Sequence, residues 1–366
     1  ISFNTSAYMD QAFRLPEFQN TYGQGNSGKF EFKDGLGGGT NDNITYSWGP
    51  QLDNGYMTAQ FDSPVTLPDG TVVRGGDVAV HGGAPITPTE MKSNPDNVKD
   101  FYQTGYTLIN NLSISNGFEK GDVRFSVTDM NSQSIIPGVD LKRKTISTKI
   151  NFNPISRLKI SSNINYINSN SDNRPGAGYG SENLNYSLIA WLPRSVDINS
   201  LKDYWQPGLE GLQQYSYNYT FFDNPYFILE ENKNSFNRDR VIGNLVAKYD
   251  FSEKINLIVR TGMDFSNEKR ELRRAYSSNR FVKGAYAEHS VLFRENNTDF
   301  LLNYKDRTEN FSWDVTVGAN RMDQITSLSQ ITATSLAQPG VYRLSNAATP
   351  LEINEYKTQK RINTIY

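Results

Sequence analysis

Residues able to carry out acid–base, nucleophilic or metal chemistry are few and widely separated in this sequence. The 366 residues contain no cysteine, which excludes disulfide scaffolds, thiolate zinc sites and cysteine nucleophiles. The two histidines, His81 and His289, have no acidic or histidine partner at metal-ligand spacing. No Gly-x-Ser-x-Gly elbow is present, and the adjacent Glu230 and Glu231 side chains point in different directions rather than flanking one glycosidic bond. The sequence therefore predicts no catalytic constellation, no cofactor and no enzyme activity.

Two glycine-rich stretches resemble ligand-binding loops, but neither has the context that such a loop requires. Gly23, Gly25 and Gly28 match the Gly-x-Gly-x-x-Gly pattern, which holds a pyrophosphate when it lies between a strand and a helix, and no helical pattern follows them. Residues 35–43 combine glycines with Asn and Asp oxygens but lack the spacing of a calcium-binding EF-hand. We interpret the first stretch as a shaped loop and the second as a flexible loop.

The most distinctive polar and aromatic region is the segment between Asn170 and Arg238. Aromatic faces beside Asn and Asp side chains suit stacking on sugar rings or packing against a partner protein. A self-packed external loop, with a short helix over residues 182–192, would explain the same composition. The candidates for partner or ligand contact are Trp191, Tyr204, Trp205, Tyr215, Tyr217 and Tyr219.

Composition narrows the class of protein. The 37 basic and 39 acidic side chains give a formal net charge of -2, without the uncompensated cations that a nucleic-acid binder needs. The mean hydropathy is -0.60, and no apolar run approaches the roughly 18 residues of a transmembrane helix. The composition does not exclude transmembrane strands, because the wall of a β-barrel alternates apolar and polar residues.

Two-residue alternation recurs along the chain in segments longer than the usual soluble strand, and it predicts roughly ten strands. Residues 311–320 and 255–266 are the clearest examples, with aliphatic and aromatic residues on one face and mainly Asn, Ser, Thr, Gly and charged residues on the other. Such faces are typical of a wall between lipid and a water-filled lumen. Aromatic residues beside the predicted short turns fit an interfacial girdle. They are Phe152, Tyr249, Phe251, Tyr304, Phe311 and Trp313.

Short and long connections between the predicted strands alternate along the chain. Short turns are predicted near residues 116–122, 153–157, 252–254 and 306–310. The connections between them are long, and they are predicted at residues 10–104, 170–238, 268–285 and 323–352, with a shorter one at 133–140. This pattern predicts an antiparallel transmembrane β-barrel with short periplasmic turns and long extracellular loops. The alternative is a soluble or surface β-rich carbohydrate-binding module, in which the apolar faces would form a dry core.

Several stretches, taken in order, resemble the SusC/RagA-like TonB-dependent outer-membrane transporters of Bacteroidetes. They cover about the first 150 residues. The remainder resembles that family in the general character of its sequence more than in specific motifs. The stretches are Leu15–Gly25, Trp48–Asp53, Asn97–Gly105, Thr107–Ser115, Arg124–Asp129, Ile136–Pro137 and Leu141–Thr145.

The resemblance implies a longer protein, with a carboxypeptidase-like extension and a plug domain ahead of a 22-stranded barrel. Residues 1–366 would then be the N-terminal part of the barrel domain, with Ile1–Ser6 as its first strand and with the plug domain and the C-terminal strands outside it. The implied function is TonB-dependent import of glycan or peptide fragments across the outer membrane. The implied partners are a SusD-like surface lipoprotein that acts as a lid, TonB through the plug region, and outer-membrane lipid.

Ten strands alone would leave unpaired N–H and C=O groups on both terminal strands, at several kcal/mol for each group in lipid. We therefore expect the rest of the barrel to cover these edges. The alternative is that another protein, such as the barrel-assembly machinery, covers them while the barrel is being inserted.

Overall fold

One antiparallel sheet of ten strands dominates the computed structural model, which describes residues 1–366. The sheet is a meander in which each long strand pairs with the long strands before and after it in the chain, and four short strands form two small ribbons within the first long connection. In chain order the elements are β1 (Ser2–Asp10), β2 (Met57–Thr58), β3 (Pro64–Thr66), β4 (Val72–Arg74), α1 (Val78–His81), β5 (Thr89–Glu90), β6 (Gly105–Phe118), β7 (Gly121–Gln133), β8 (Asp140–Ile155), β9 (Leu158–Ser171), α2 (Leu184–Trp191), α3 (Pro225–Glu231), β10 (Asn234–Asp250), β11 (Ile255–Ser278), β12 (Phe281–Arg307), β13 (Ser312–Ala333) and β14 (Glu352–Ile365).

The apolar face of this sheet packs against no second layer. Leu112, Val127 and Ile146 lie opposite one another across β6, β7 and β8, as the two-residue alternation requires, and all three side chains are exposed. The main cluster of buried apolar residues contains no residue from the ten strands. The prediction of an all-β antiparallel architecture is confirmed, and the open sheet is consistent with part of a β-barrel wall. A dry core beneath the apolar face, as the carbohydrate-binding module would need, is absent.

The predicted short turns are confirmed, at residues 119–120, 156–157, 251–254 and 308–311. Two of the predicted long connections are wrong in extent. β11 continues to Ser278 and β12 begins at Phe281, so nearly all of residues 268–285 lie in paired strands. Asn279 and Arg280 alone join the two strands. The connection predicted at 323–352 is confined to residues 334–351. The apolar alternation ends well before the strands do, so it underestimates their length.

The connections 11–104 and 172–233 fold together into one compact body, which we call the loop unit. Its core is a cluster of 19 buried residues that includes Phe32, Phe101, Leu188 and Phe222 but also Ile136, from the connection between β7 and β8. Arg194 joins the two connections and is 3% exposed. Its guanidinium donates to the Asn20 Oδ1 at 3.1 Å, the Asn97 Oδ1, the Asn94 carbonyl at 3.2 Å and the Pro95 carbonyl at 2.7 Å.

Asparagine side chains cap the N-termini of both longer helices of the loop unit. The Asn183 Oδ1 accepts a hydrogen bond from the Tyr186 N–H at 3.2 Å at the start of α2, and the predicted helix over residues 182–192 is confirmed. At the start of α3 the Asn224 Oδ1 accepts from the Tyr226 N–H at 2.8 Å, and Pro225 occupies the first turn. No helix combines the length and the apolar character needed to cross a membrane.

Both terminal strands of the sheet have one neighbour each. β1 pairs only with β6, and β14 pairs only with β13. Every residue of these two strands is exposed. Each strand therefore presents one row of N–H and C=O groups without a strand partner.

Candidate functional site

The apolar face of the sheet forms a band of limited height. On β10 the band runs from Tyr249 to Val241, which is about 27 Å along the strand, or about 21 Å across the band if the strand is tilted by about 40°. Beyond Val241 the same face becomes polar, and the Tyr166 hydroxyl donates to the Asp239 Oδ1 at 2.6 Å. Lys144 and Arg321 mark the same change on β8 and β13. The band is close to the roughly 25 Å apolar girdle of a transmembrane barrel.

Aromatic side chains border the band beside the short turns, as the sequence predicts. The ring centroids of Tyr249 and Phe251 lie 4.9 Å apart, and those of Phe311 and Trp313 lie 6.4 Å apart. The predicted placement of these aromatic residues is confirmed. The Tyr249 and Trp313 rings, which carry a polar group, suit the headgroup region of a membrane at this level.

The opposite face of the sheet is polar and internally hydrogen-bonded. Two cross-strand ion pairs lie on it, Arg240 with Asp264 at 2.5 Å and Arg260 with Asp299 at 2.7 Å. Alternation places these four side chains on the face opposite Leu245. Because each arginine has a cross-strand carboxylate partner, this part of the face is polar without a strong net charge.

Three of the six aromatic candidates from the sequence are structural residues of the loop unit. Tyr215 and Tyr217 are 0% and 1% exposed, and the Arg74 guanidinium lies 3.5 Å from the ring centroid of Tyr215. Burial raises the pKa of the Tyr217 hydroxyl far above its usual value. The Tyr219 hydroxyl donates to the Gly76 carbonyl at 2.6 Å. Burial closes Tyr215 and Tyr217 to direct contact with a ligand or a partner in this structure.

The other three candidates lie nearer the surface. The Tyr204 hydroxyl donates to the Glu231 Oε1 at 3.0 Å, and the Trp205 ring packs edge-on against Phe227 at a centroid distance of 5.3 Å. Trp191 alone of the six lines an aromatic cavity at the edge of the loop unit. The structure does not bring the six residues into one site, and their role in recognition stays a prediction.

The cavity beside Trp191, which we call the aromatic cleft, has a volume of about 890 Å³. Trp191 stacks on Phe222 with ring centroids 5.9 Å apart and an interplanar angle of 26°, and Tyr46 lies 6.2 Å from Trp191. Further aromatic walls come from Tyr179, Tyr186 and Phe221, and the polar lining residues are Asn43, Thr45, Ser181, Thr220, Asn279 and Arg280. The cleft thus combines both halves of the loop unit with the tip of the β11–β12 hairpin.

Sequence reasoning missed Tyr46 and Arg280 as members of this site. Both lie far from Trp191 in the sequence, at distances of more than 80 residues, and neither belongs to a recognisable motif. Phe221 and Tyr179 lie within the aromatic segment and carry a compositional signal, but nothing in the sequence separates them from the buried Tyr217. The distinguishing property is exposure, which the packing of the loop unit decides.

Asp223 fixes the hairpin tip at the edge of the cleft. Its Oδ1 accepts hydrogen bonds from the Asn279 N–H at 2.8 Å and from the Gln214 Nε2 at 2.7 Å. Burial raises the pKa of the Asp223 carboxyl to about 6, and the negative charge of Glu182 raises it further. The hydrogen bonds from Gln214 and Asn279 and the positive charge of Arg274 lower this pKa and oppose the shift. The hairpin and the loop unit are therefore joined by a titratable contact.

The two glycine-rich stretches form loops. Gly25 has a φ of 124°, which favours glycine, and its N–H donates to the Tyr46 carbonyl at 2.8 Å beside the cleft. The second stretch, predicted to be flexible, is tied down by the buried Asp42, whose Oδ2 accepts from four backbone N–H groups. The donors are Lys33, Asp34, Gly35 and Gly39, at 3.0–3.2 Å. No group of three or more His, Cys, Asp or Glu side chains is arranged to hold a metal ion.

Comparison with known proteins shows a fold similarity only. No protein-family model and no curated protein matches the chain. Among solved structures, the RagAB peptide transporter matches with a TM-score of 0.56 at 15% identity over 73% of this chain and 31% of that chain. The RagAB peptide importer in its closed-closed state matches with a TM-score of 0.54, at 15% identity, over 73% of this chain and 30% of that one. Its open-open state matches with a TM-score of 0.53, at 15% identity, over 74% and 30%. This chain spans about a third of the length of those proteins.

Proposed function

We propose that this chain forms the N-terminal part of the barrel wall of an outer-membrane transporter that imports nutrient fragments. The observation that carries the proposal is the exposed apolar face of a single-layered sheet, which ends in polar residues after about 21 Å. In water such a face would be an extended hydrophobic patch, whereas in a bilayer it contacts acyl chains. The fold similarity to the RagAB peptide transporter supports the same reading.

In this proposal the chain performs no bond chemistry. The polar face of the sheet, with its paired Arg240 and Arg260, lines a hydrogen-bonding passage. The loop unit and the extended β11–β12 hairpin lie on the extracellular side, where they contact the nutrient and a SusD-like lipoprotein that acts as a lid. TonB supplies energy through a plug domain carried by another part of the protein.

The free edges of β1 and β14 also support the proposal. A strand edge in lipid must be paired, because no water is present to satisfy its N–H and C=O groups. We propose that further strands of the same barrel pair with both edges and close the wall. This fits a chain that spans about a third of the length of the proteins it resembles.

The test uses the full-length protein in its native outer membrane. We expect it to fractionate with the outer membrane and to migrate faster on gels before heating than after heating, as folded barrels do. We also expect cells to take up short fluorescent peptides, and uptake to stop when TonB is deleted or the proton gradient is collapsed. Recovery of the full-length protein in the soluble fraction without detergent would overturn the proposal and favour the carbohydrate-binding module. Uptake that is unchanged without TonB would overturn the energised mechanism.

A further inference from the structure

We infer that the aromatic cleft binds the carboxyl-terminal end of a peptide, with an apolar or aromatic side chain against Trp191 and Phe221 and the terminal carboxylate on Arg280. The inference rests on the proposed import function, because it names the class of fragment that the extracellular side recognises. It assigns a role to one of the six aromatic residues and to Arg280 of the hairpin tip.

The walls of the cleft suit an apolar side chain. Its volume of about 890 Å³ lies within the usual range for small-ligand sites, roughly 300–1,000 Å³, and can hold two or three residues of a peptide. The stacked pair of Trp191 and Phe222 is continued by Tyr46, and Phe221 is 56% exposed at the opening. An aromatic or aliphatic side chain placed there would bury apolar surface on several sides and gain edge or stacking contacts with the rings.

The charge of the lining distinguishes a peptide end from a neutral sugar. No Asp or Glu lines the cleft, and Arg280 is its only charged residue. Arg280 is exposed at the hairpin tip and forms no ion pair, whereas the nearby Arg274 is paired with Glu182 at 2.6 Å. A free guanidinium presents two parallel N–H donors that match a carboxylate. A neutral oligosaccharide would leave this cation without a partner of opposite charge.

The position of the cleft is consistent with capture from the medium. The cleft lies in the loop unit, at the end of the sheet that carries the long connections and beyond the polar limit of the apolar band. The β11–β12 hairpin reaches the same end, because β12 has 27 residues and a length of about 90 Å. In the proposed orientation this end faces outward, so the cleft is accessible to a peptide before any passage through the barrel.

The experiment measures binding to the purified full-length protein in detergent by isothermal titration calorimetry. The probes are Gly-Gly-Phe, the same tripeptide with a carboxyl-terminal amide, and maltotriose. We expect Gly-Gly-Phe to bind, the amide to bind about tenfold more weakly, and maltotriose to show no measurable binding. Arg280→Gln should weaken the acid about tenfold and leave the amide unchanged, because the lost contact is with the carboxylate. Phe221→Ala should weaken the acid and the amide by the same factor.

Two control variants separate the cleft from general surface effects. Phe13→Ala removes a ring that is 98% exposed outside the cleft, and Arg343→Gln removes an exposed cation elsewhere. Both should bind Gly-Gly-Phe as the unmodified protein does. Equal affinity for acid and amide, an unchanged affinity in Arg280→Gln, or tight binding of maltotriose in place of the peptide would overturn the inference. Energised peptide uptake without binding at the cleft would overturn the inference alone, and cleft binding without any TonB-dependent uptake would overturn the proposed function alone.

Discussion

The proposed membrane orientation of the sheet makes a sharp prediction at two adjacent residues of β10. Leu245 lies on the apolar face, four residues from both Tyr249 and Val241, and therefore near the middle of the band. It is 47% exposed and packs under no other layer. Asn244 points to the opposite face and pairs with Gly262 on β11, which has no side chain and no close side-chain neighbour other than the Asn244 Cβ at 3.9 Å. Leu245→Arg and Asn244→Arg thus add the same charge at nearly the same height on opposite faces.

The expected cost differs strongly between the two variants. An arginine on the lipid face at mid-height costs about 2–4 kcal/mol, whereas on the lumen face it costs little. Since about 1.4 kcal/mol corresponds to a tenfold change in an equilibrium constant, Leu245→Arg should lower the folding equilibrium constant by roughly 30- to 700-fold. A water-exposed Leu245 would instead accept arginine with almost no loss, because no protein layer covers it.

The assay is reversible denaturant unfolding of the full-length protein in lipid vesicles, with Leu245→Ala as a control for the lost side chain. The difference between Leu245→Arg and Leu245→Ala isolates the charge from the loss of apolar surface. A cost for Leu245→Arg within about 0.5 kcal/mol of that for Asn244→Arg would refute the assignment of the apolar face to lipid. A large cost for Asn244→Arg alone would reverse the two faces.

Two further predictions concern the loop unit, and hydrogen exchange of its peptides in the full-length protein measures both. Arg194→Ala should destabilise the loop unit by about 3 kcal/mol, because the buried Asn97 Oδ1 and three partly buried acceptors lose a charged donor, and unchanged exchange at residues 94–97 would contradict this. The pKa of Asp223 is higher in the folded loop unit than in the unfolded chain. The contribution of Asp223 to the free energy of unfolding is therefore complete below pH 3.8 and is lost as the pH rises through about 6, a decrease of about 3 kcal/mol. Residues 213–230 should therefore exchange faster at pH 8 than at pH 5 after correction for intrinsic rates, and persistence of that difference in Asp223→Asn would refute the assignment.

The sequence determined the architecture of the sheet, because successive side chains of a strand point to opposite faces. A strand whose two faces meet different environments therefore alternates between apolar and polar residues. Residues 311–320 and 255–266 alternate with a period of two, and the structure places residues 312–320 and 255–266 in β-strands with one exposed apolar face. The short turns were predictable for the same reason, since a hairpin forms between neighbouring segments. The pattern failed at residues 268–285, because the backbone pairing of β11 and β12 continues there although the side chains no longer keep one apolar face.

Only the tertiary structure decided which aromatic residues are available for recognition. Tyr217 and Phe221 lie four residues apart in the same segment and have similar composition around them, yet Tyr217 is buried in the loop unit and Phe221 is open to the cleft. Tyr46, Trp191 and Arg280 come from three distant parts of the chain. Their meeting depends on how two long connections pack against one hairpin, and that packing is a long-range property that no local period, spacing or composition in the sequence encodes.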